Sequence, residues 1–251
     1  MKKTKQSLDS LTPDATLSQI TSAHRQVNEL LTSIGLEPSA HSNETLRAVC
    51  QQRQWNESEV LHWIKKQTLA PDAPDPDDLR PDEPERSTNL SKWWEYIIEV
   101  FHPFNIDLLN KIDGTFPRVA KVHGNQYPRL KHMREHFKRF SGDLELYFKF
   151  ESMKLFPLAE KLDEPGQQLL NGTIRKLEQS IHIVEKDQRR LLRLMNVLRE
   201  KGHQFENPEG ACATFRILNQ HFKMLEEQLK KQFKVEKEII VPIIQQKLDR
   251  I

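Results

Sequence analysis

The stretch Leu144–Pro157, LELYFKFESMKLFP, decides the fold class. Apolar residues recur through it and just beyond it at steps of three and four, which is the spacing of one face of an α-helix. One glutamate, Glu151, lies on this otherwise apolar seam, six residues before Pro157. The predicted seam consists of Leu144, Phe148, Glu151, Leu155, Leu158 and Leu162.

A second stretch near the end of the chain, Gln232–Pro242 (QFKVEKEIIVP), repeats this arrangement. Glu236 lies on its seam, again six residues before a proline. Because an unpaired buried carboxylate is costly, each glutamate needs a proton, a hydrogen-bond partner, a cation or a metal ion. Glu151 and Glu236 are therefore the first candidates for a functional site. The second seam consists of Leu225, Leu229, Gln232, Glu236, Ile239 and Ile243.

The composition excludes several classes of protein. The chain has 251 residues, of which 29% are charged and only 8 are glycine, which favours a helical protein over one with a large sheet. A net charge of +2 is too small to predict nucleic-acid binding. No apolar run approaches the roughly 18 residues that a membrane span needs, and no secretory signal follows the basic start MKKTKQS. Cys50 and Cys212 lack metal-type spacing, so the sequence predicts a reduced, cytoplasmic protein.

The chain divides into three predicted regions. Residues 1–68 form a small helical module, with one helix over Thr16–Ser33, a second from Asn43 and a third capped by Asn56. Residues 69–89 hold five prolines and many acids, which predicts an extended linker. Residues 90–251 form the third region.

Four long helices are predicted in this third region, over residues 90–113, 127–162, 165–202 and 208 to the end. The second and third connections are short, which is typical of an antiparallel four-helix bundle. The fold class is therefore predicted to be all-α.

Bundles often carry metal sites in which a histidine and a glutamate four residues apart share one helix face. Tyr147-x3-Glu151 and Gln232-x3-Glu236 have the spacing and the carboxylate, but each lacks the histidine. The first long helix offers His102 at the flank of its seam. His182, on the third helix, is predicted by its helical phase to face solvent.

Six segments, in order along the chain, carry a more specific pattern. This pattern resembles the RIC (repair of iron centres) family of hemerythrin-like di-iron proteins with a ScdA-type N-terminal domain. The segments are NETL (43–46), VAKVHGNQYPRL (119–130), FESMKLFP (150–157), IRKLE (174–178), PEGACATF (208–215) and VEKEIIVP (235–242).

The resemblance implies a hemerythrin-like bundle with a non-haem di-iron site of four histidines and two glutamates, and a role in repairing iron–sulfur centres damaged by nitrosative or oxidative stress. When the ligand positions of the family are placed on this sequence, the resemblance implies that His102, Glu151 and Glu236 are the ligands still present. The other histidine positions fall on Tyr147, on Gln232, and on either Ile181 or Gln188, none of which is histidine. The cysteine pair of the family falls on Ser39 and Ala40.

Three site chemistries therefore stay open: a di-iron centre, a single hard metal ion held by His102, Tyr147, Glu151 and Glu236, and a metal-free polar core. The corresponding functions are iron–sulfur cluster repair by a divergent relative, a non-catalytic interaction or regulatory bundle, and a sensor of a metal ion or small molecule. No catalytic residue set is predicted. Expected partners are iron–sulfur proteins or a second copy of the chain, with neither a membrane nor nucleic acid involved.

Overall fold

A computed structural model describes residues 10–24, 26–68, 90–163 and 170–250. These residues form helices joined by turns and contain no β-strand, so the predicted all-α class is confirmed. They divide into two compact units. The first contains the described residues up to position 68 together with Phe205–His221, and the second contains those from 90 to 204 and from 222 to 250.

The first unit is built from four short helices around its own apolar core. They are α1 (Leu17–Ala23), α2 (Val27–Ser33), α3 (Leu46–Gln52) and α4 (Glu57–Thr68). The single helix predicted over Thr16–Ser33 is wrong, because His24 is extended (φ −151°, ψ 137°) and separates α1 from α2. The predicted cap of α4 is confirmed, since Asn56 Oδ1 accepts a hydrogen bond of 3.0 Å from the Glu59 amide.

The second unit contains the long helices. These are α5 (Leu90–His123), α6 (Arg129–Glu160), α7 (Asn171–Lys201) and α8 (Ala213–Leu248), although residues 213–221 of α8 belong to the first unit. The sequence predicts residues 205–221 to be part of the third region, whereas in the structure they belong to the first compact unit. The predicted linker over 69–89 lies outside the described residues. Within the described ranges, no helix is both long enough and apolar enough to cross a bilayer.

The end of α5 corrects the predicted boundary at residue 113. The helix continues through Pro117 to His123. A proline inside a helix costs about 3 kcal/mol, so compensating packing is required. Phe116 supplies it: this fully buried side chain packs against Phe137 and Phe222, with ring centroids 6.3 and 6.0 Å away.

Three of the long helices are interrupted by a five-residue π-helical segment of the same design. The segments are Ile97–Phe101 in α5, Glu151–Leu155 in α6 and Glu236–Ile240 in α8. In each, the amide of the next residue donates to the carbonyl five positions back, as His102 does to Ile97. A proline follows directly, at positions 103, 157 and 242. Because a proline ring clashes with the carbonyl four residues back, the wider turn accommodates it.

The π segments shift the buried seam by one residue beyond each glutamate. Leu158 and Ile239, which the regular spacing placed on the seam, are only partly buried. Ala159 and Ile240 are instead 0% and 1% exposed. The predicted seams are therefore correct up to Glu151 and Glu236 and only partly correct after them: Leu155 and Ile243 are buried as predicted, whereas Leu158, Leu162 and Ile239 are only partly buried. In α7, where the described helix has no π segment, the buried residues keep regular helical spacing, at Leu177, Ile181, Val184, Gln188, Leu191, Met195 and Leu198.

Candidate functional site

Seven polar side chains from all four long helices meet inside the second unit. Each is at most 8% exposed, and together they form what we call the buried polar network. Every helix contributes at least one member, so the network lies where the four helices pack together. Its members are His102 and Asn105 (α5), Tyr147 and Glu151 (α6), Gln188 (α7), and Gln232 and Glu236 (α8).

Glu236 is the centre of this network. Its Oε2 accepts hydrogen bonds from the Tyr147 hydroxyl and from Gln188 Nε2, the latter at 2.5 Å. Its Oε1 accepts from Gln232 Nε2 at 2.7 Å. Gln188 Nε2 also lies 3.0 Å from the Tyr147 hydroxyl oxygen, and Asn105 Nδ2 donates to Gln232 Oε1 at 3.0 Å. Both oxygens of this buried carboxyl group therefore have donors, as a buried polar group requires.

Glu151 has fewer hydrogen-bond partners than Glu236. Its Oε2 lies 3.0 Å from His102 Nε2, and its Oε1 has no hydrogen-bond partner although the side chain is completely buried. The His102 ring stacks on Phe148, with ring centroids 4.2 Å apart. His102 faces inward because the π segment before it places its amide over the carbonyl of Ile97 rather than that of Ile98.

Burial sets the charges of these groups. It raises the pKa of Glu151 to about 8, with a partial offset from the nearby Tyr147 hydroxyl and Glu236 carboxyl. It also raises the pKa of Glu236 well above its usual range, and repulsion from Glu151 adds to that rise. Burial lowers the pKa of His102 to about 4. Near neutral pH the imidazole is therefore uncharged, and its contact with Glu151 is a hydrogen bond rather than an ion pair.

The sequence-predicted site residues His102, Tyr147, Glu151, Gln232 and Glu236 all belong to the network. Of the two alternatives on α7, Gln188 takes part, whereas Ile181 makes none of its hydrogen bonds. His182 is exposed, as its helical phase predicted. Sequence reasoning missed Asn105. Its position three residues after His102, on the same helix face, was the available signal.

These residues do not fit a di-iron centre. Such a centre needs several imidazole and carboxylate ligands, but His102 is the one imidazole in the network. The amide nitrogens of Gln188 and Gln232 point their N–H groups at Glu236, where an adjacent cation would meet the positive ends of two dipoles. In the part of the chain that the structure describes, no group of three or more His, Cys, Asp or Glu side chains is arranged to hold a metal ion.

The fold and site together define an all-α protein whose second unit encloses two carboxyl groups in a polar core. No protein-family model matches the sequence. It is similar to two curated proteins named "Iron-sulfur cluster repair protein ScdA", from two strains of Staphylococcus epidermidis. With each, the identity is 23% over 152 residues, which is 61% of this chain and 65% of the relative. The chain thus spans about two thirds of the length of these relatives and is related to them distantly.

Proposed function

We propose that this protein is a divergent member of the RIC family, in which a hydrogen-bonded, metal-free core stands in place of the di-iron site of a hemerythrin-like bundle. The similarity to ScdA supports the relationship. One observation carries the metal-free part: Tyr147, Gln188 and Gln232, which stand at the missing histidine positions, all direct hydrogen-bond donors at Glu236. Each lost ligand has become a group that satisfies a carboxyl oxygen without a metal ion.

In this proposal the protein is a non-catalytic interaction or regulatory module of the cytoplasm. It acts beside iron–sulfur proteins, as the name of its relatives suggests, and under nitrosative or oxidative stress, as the family resemblance implies. The bundle is then the rigid scaffold of a binding surface, and the polar network fixes the packing of its four helices. A buried polar group fixes packing in this way when each member must find its particular partner.

Metal analysis tests this proposal directly. The full chain is purified without air, incubated with ferrous iron, desalted and examined by elemental analysis and absorption spectroscopy. We expect substoichiometric iron and no ligand-to-metal charge-transfer band. The matched comparison is the triple variant Tyr147→His, Gln188→His, Gln232→His, which restores an imidazole at each replaced position. We expect it to retain iron under the same conditions, because neutral imidazoles are good ligands for that metal.

Stoichiometric iron and a charge-transfer band in the wild-type chain would overturn the proposal. If neither protein retains iron, a folded triple variant, judged by circular dichroism, would show that the ancestral site cannot be rebuilt at these positions. The assignment of Tyr147, Gln188 and Gln232 to lost ligand positions would then be wrong.

One observation favours a second candidate function, a site for a single metal ion. Glu151 Oε1 is buried without a hydrogen-bond partner. The other oxygen of the same carboxyl group, Oε2, contacts the imidazole of His102. One hard cation bound here by His102, Glu151 and the Tyr147 oxygen would make the protein a metal-dependent sensor. The same metal analysis separates the two candidates, because this site requires one equivalent of iron or manganese that Glu151→Gln abolishes.

A further inference from the structure

A surface groove runs between α7 and α8 in the second unit. Its volume is about 310 Å³, at the lower end of the range for small-molecule sites, roughly 300 to 1,000 Å³. Apolar side chains line it from both helices: Val184 and Leu192 from α7, and Phe233 and Val241 from α8. Leu192 is 38% exposed, so apolar surface faces water in this groove.

The same groove is strongly positive. It is lined by four cations (Arg189, Lys230, Lys234 and Lys237) and one carboxylate (Glu185), an excess of three positive charges. The whole chain carries a net charge of only +2, so this excess is concentrated here rather than spread evenly over the surface. Such a local field attracts anions.

Two of these cations are already paired with acids and two are available. Arg189 lies 3.9 Å from Glu185, and Lys230 lies 2.6 Å from Glu226. Lys234 and Lys237 are exposed and have no ion pair with any described residue. Apolar contacts for a ligand body and two available ammonium groups for a ligand charge are thus combined within one groove.

We propose that this groove binds an amphipathic monoanion, a small molecule with an apolar chain or ring and one carboxylate. The carboxylate pairs with Lys234 and Lys237, and the apolar body lies on Leu192, Phe233 and Val241. A nucleic acid is less well matched, because its backbone offers charge but no apolar body for these side chains. The site goes beyond the proposed function, since it requires no metal ion.

The groove also touches the buried polar network. Gln188, which is buried, lines the groove, and its amide donates to both Tyr147 and Glu236. A ligand seated there would be separated from Glu236 by a single side chain. The site therefore connects the outer surface of the bundle with its polar core.

The test is calorimetric titration of the full chain with dodecanoate below its micellar concentration. We expect saturable binding of one equivalent, and much weaker binding of the uncharged dodecanol. The double variant Lys234→Gln, Lys237→Gln should weaken dodecanoate binding about tenfold, because two exposed charge contacts each contribute a few-fold. Its matched control is Lys223→Gln, Lys231→Gln, which removes the same charge from α8 outside the groove and should leave the affinity unchanged.

A second pair of variants tests the apolar contacts. Leu192→Gln places an amide in the groove and should weaken binding, whereas Leu146→Gln changes an exposed leucine on α6 that does not line the groove and should have no effect. The proposal is overturned if dodecanoate does not bind, if dodecanol binds equally well, or if the groove and control variants behave alike. None of these results depends on metal content. The binding experiments therefore test the groove alone, and the metal analysis tests the proposed function.

Discussion

Glu151 and Glu236 occupy equivalent positions in two helices, yet their surroundings differ sharply. Each is the first residue of a π segment, each lies four residues after another buried member of the polar network, and each is almost completely buried. Glu236 accepts hydrogen bonds from three side chains. Glu151 has one contact, to His102, and one oxygen without a partner.

The difference shows what Tyr147, Gln188 and Gln232 do. Tyr147 and Gln232 precede different glutamates in sequence, but both direct their donors at Glu236, and Gln188 adds a third. Glu151 keeps the imidazole and receives none of these donors. One carboxyl group is thus a hydrogen-bond acceptor for three side chains, while the other has an oxygen without a partner. An unsatisfied buried acceptor costs about 1 to 3 kcal/mol, so we infer that Glu151 is a local weakness in the core.

The largest expected effect comes from replacing each glutamate by leucine, which has a similar size and no acceptor. Glu236→Leu leaves the Tyr147 hydroxyl and the Gln232 amide without their acceptor and leaves Gln188 with only the Tyr147 oxygen, and should lower the free energy of unfolding by about 3 kcal/mol or more. Glu151→Leu leaves only His102 without a partner and removes the unsatisfied oxygen, so it should cost about 1 kcal/mol or less. Urea unfolding measures both. Equal costs would show that the two sites are energetically alike.

The dependence of stability on pH sharpens the comparison at Glu151. Its folded pKa of about 8 lies above its ordinary value of 4.5, so its favourable contribution is complete below about pH 4.5 and is lost as the pH rises towards 8. Glu236 acts in the same direction. His102, with a folded pKa of about 4, acts oppositely, but only below its ordinary pKa of 6.5.

Between pH 6.5 and 8, therefore, the free energy of unfolding should fall with pH by about 1.4 kcal/mol per unit for each proton retained on folding. Glu151→Gln should reduce this slope. Glu145→Gln, an exposed change on the same helix, serves as the matched control and should keep the slope of the wild type. Urea unfolding at a series of pH values measures it, and an identical slope in Glu151→Gln would contradict the assigned protonation of Glu151.

A smaller effect than that of Glu236→Leu is expected for Tyr147→Phe, which removes one donor to Glu236 and leaves the ring in place. We expect a cost of about 1 kcal/mol, typical of a single hydrogen bond. The same change in the Glu236→Leu background should cost close to nothing, because the acceptor is already absent. An unchanged cost in that background would mean that the Tyr147 hydroxyl stabilises the fold through some group other than Glu236.

The all-α class could be predicted from sequence by helical spacing. The same spacing placed Tyr147, Glu151, Gln232 and Glu236 on buried faces, because these residues come before or at the start of the π segments of α6 and α8. The phase beyond the glutamates could not be predicted, since regular spacing assumes about 3.6 residues per turn and the π segments depart from it. For the same reason His102 was placed on the flank of its helix, although it is buried.

Other errors came from tertiary packing. The end of α5 was predicted too early because Pro117 and Gly114 are poor helix formers, and the buried Phe116 cluster overrides them. The break between α1 and α2 at His24 could not be predicted, because no glycine or proline lies next to it in the sequence. The hydrogen bonds that converge on Glu236 come from α8 itself and from two other helices, α6 and α7, and no local pattern specifies which donor meets which acceptor.

The three π segments also constrain how the sequence can change in length. One residue more or less in a helix rotates everything beyond it by about 100°. A one-residue deletion within residues 236–240 is the exception, because it would turn the wide π turn into a regular one and keep Ile240 and Ile244 on the buried face, and the same holds for Ala159 in α6. In α6 and α8 the glutamate begins the π segment, and the proline six positions later is the residue that the wide turn accommodates. Outside the π segments, the length of these two helices is therefore constrained by the packing of their buried residues.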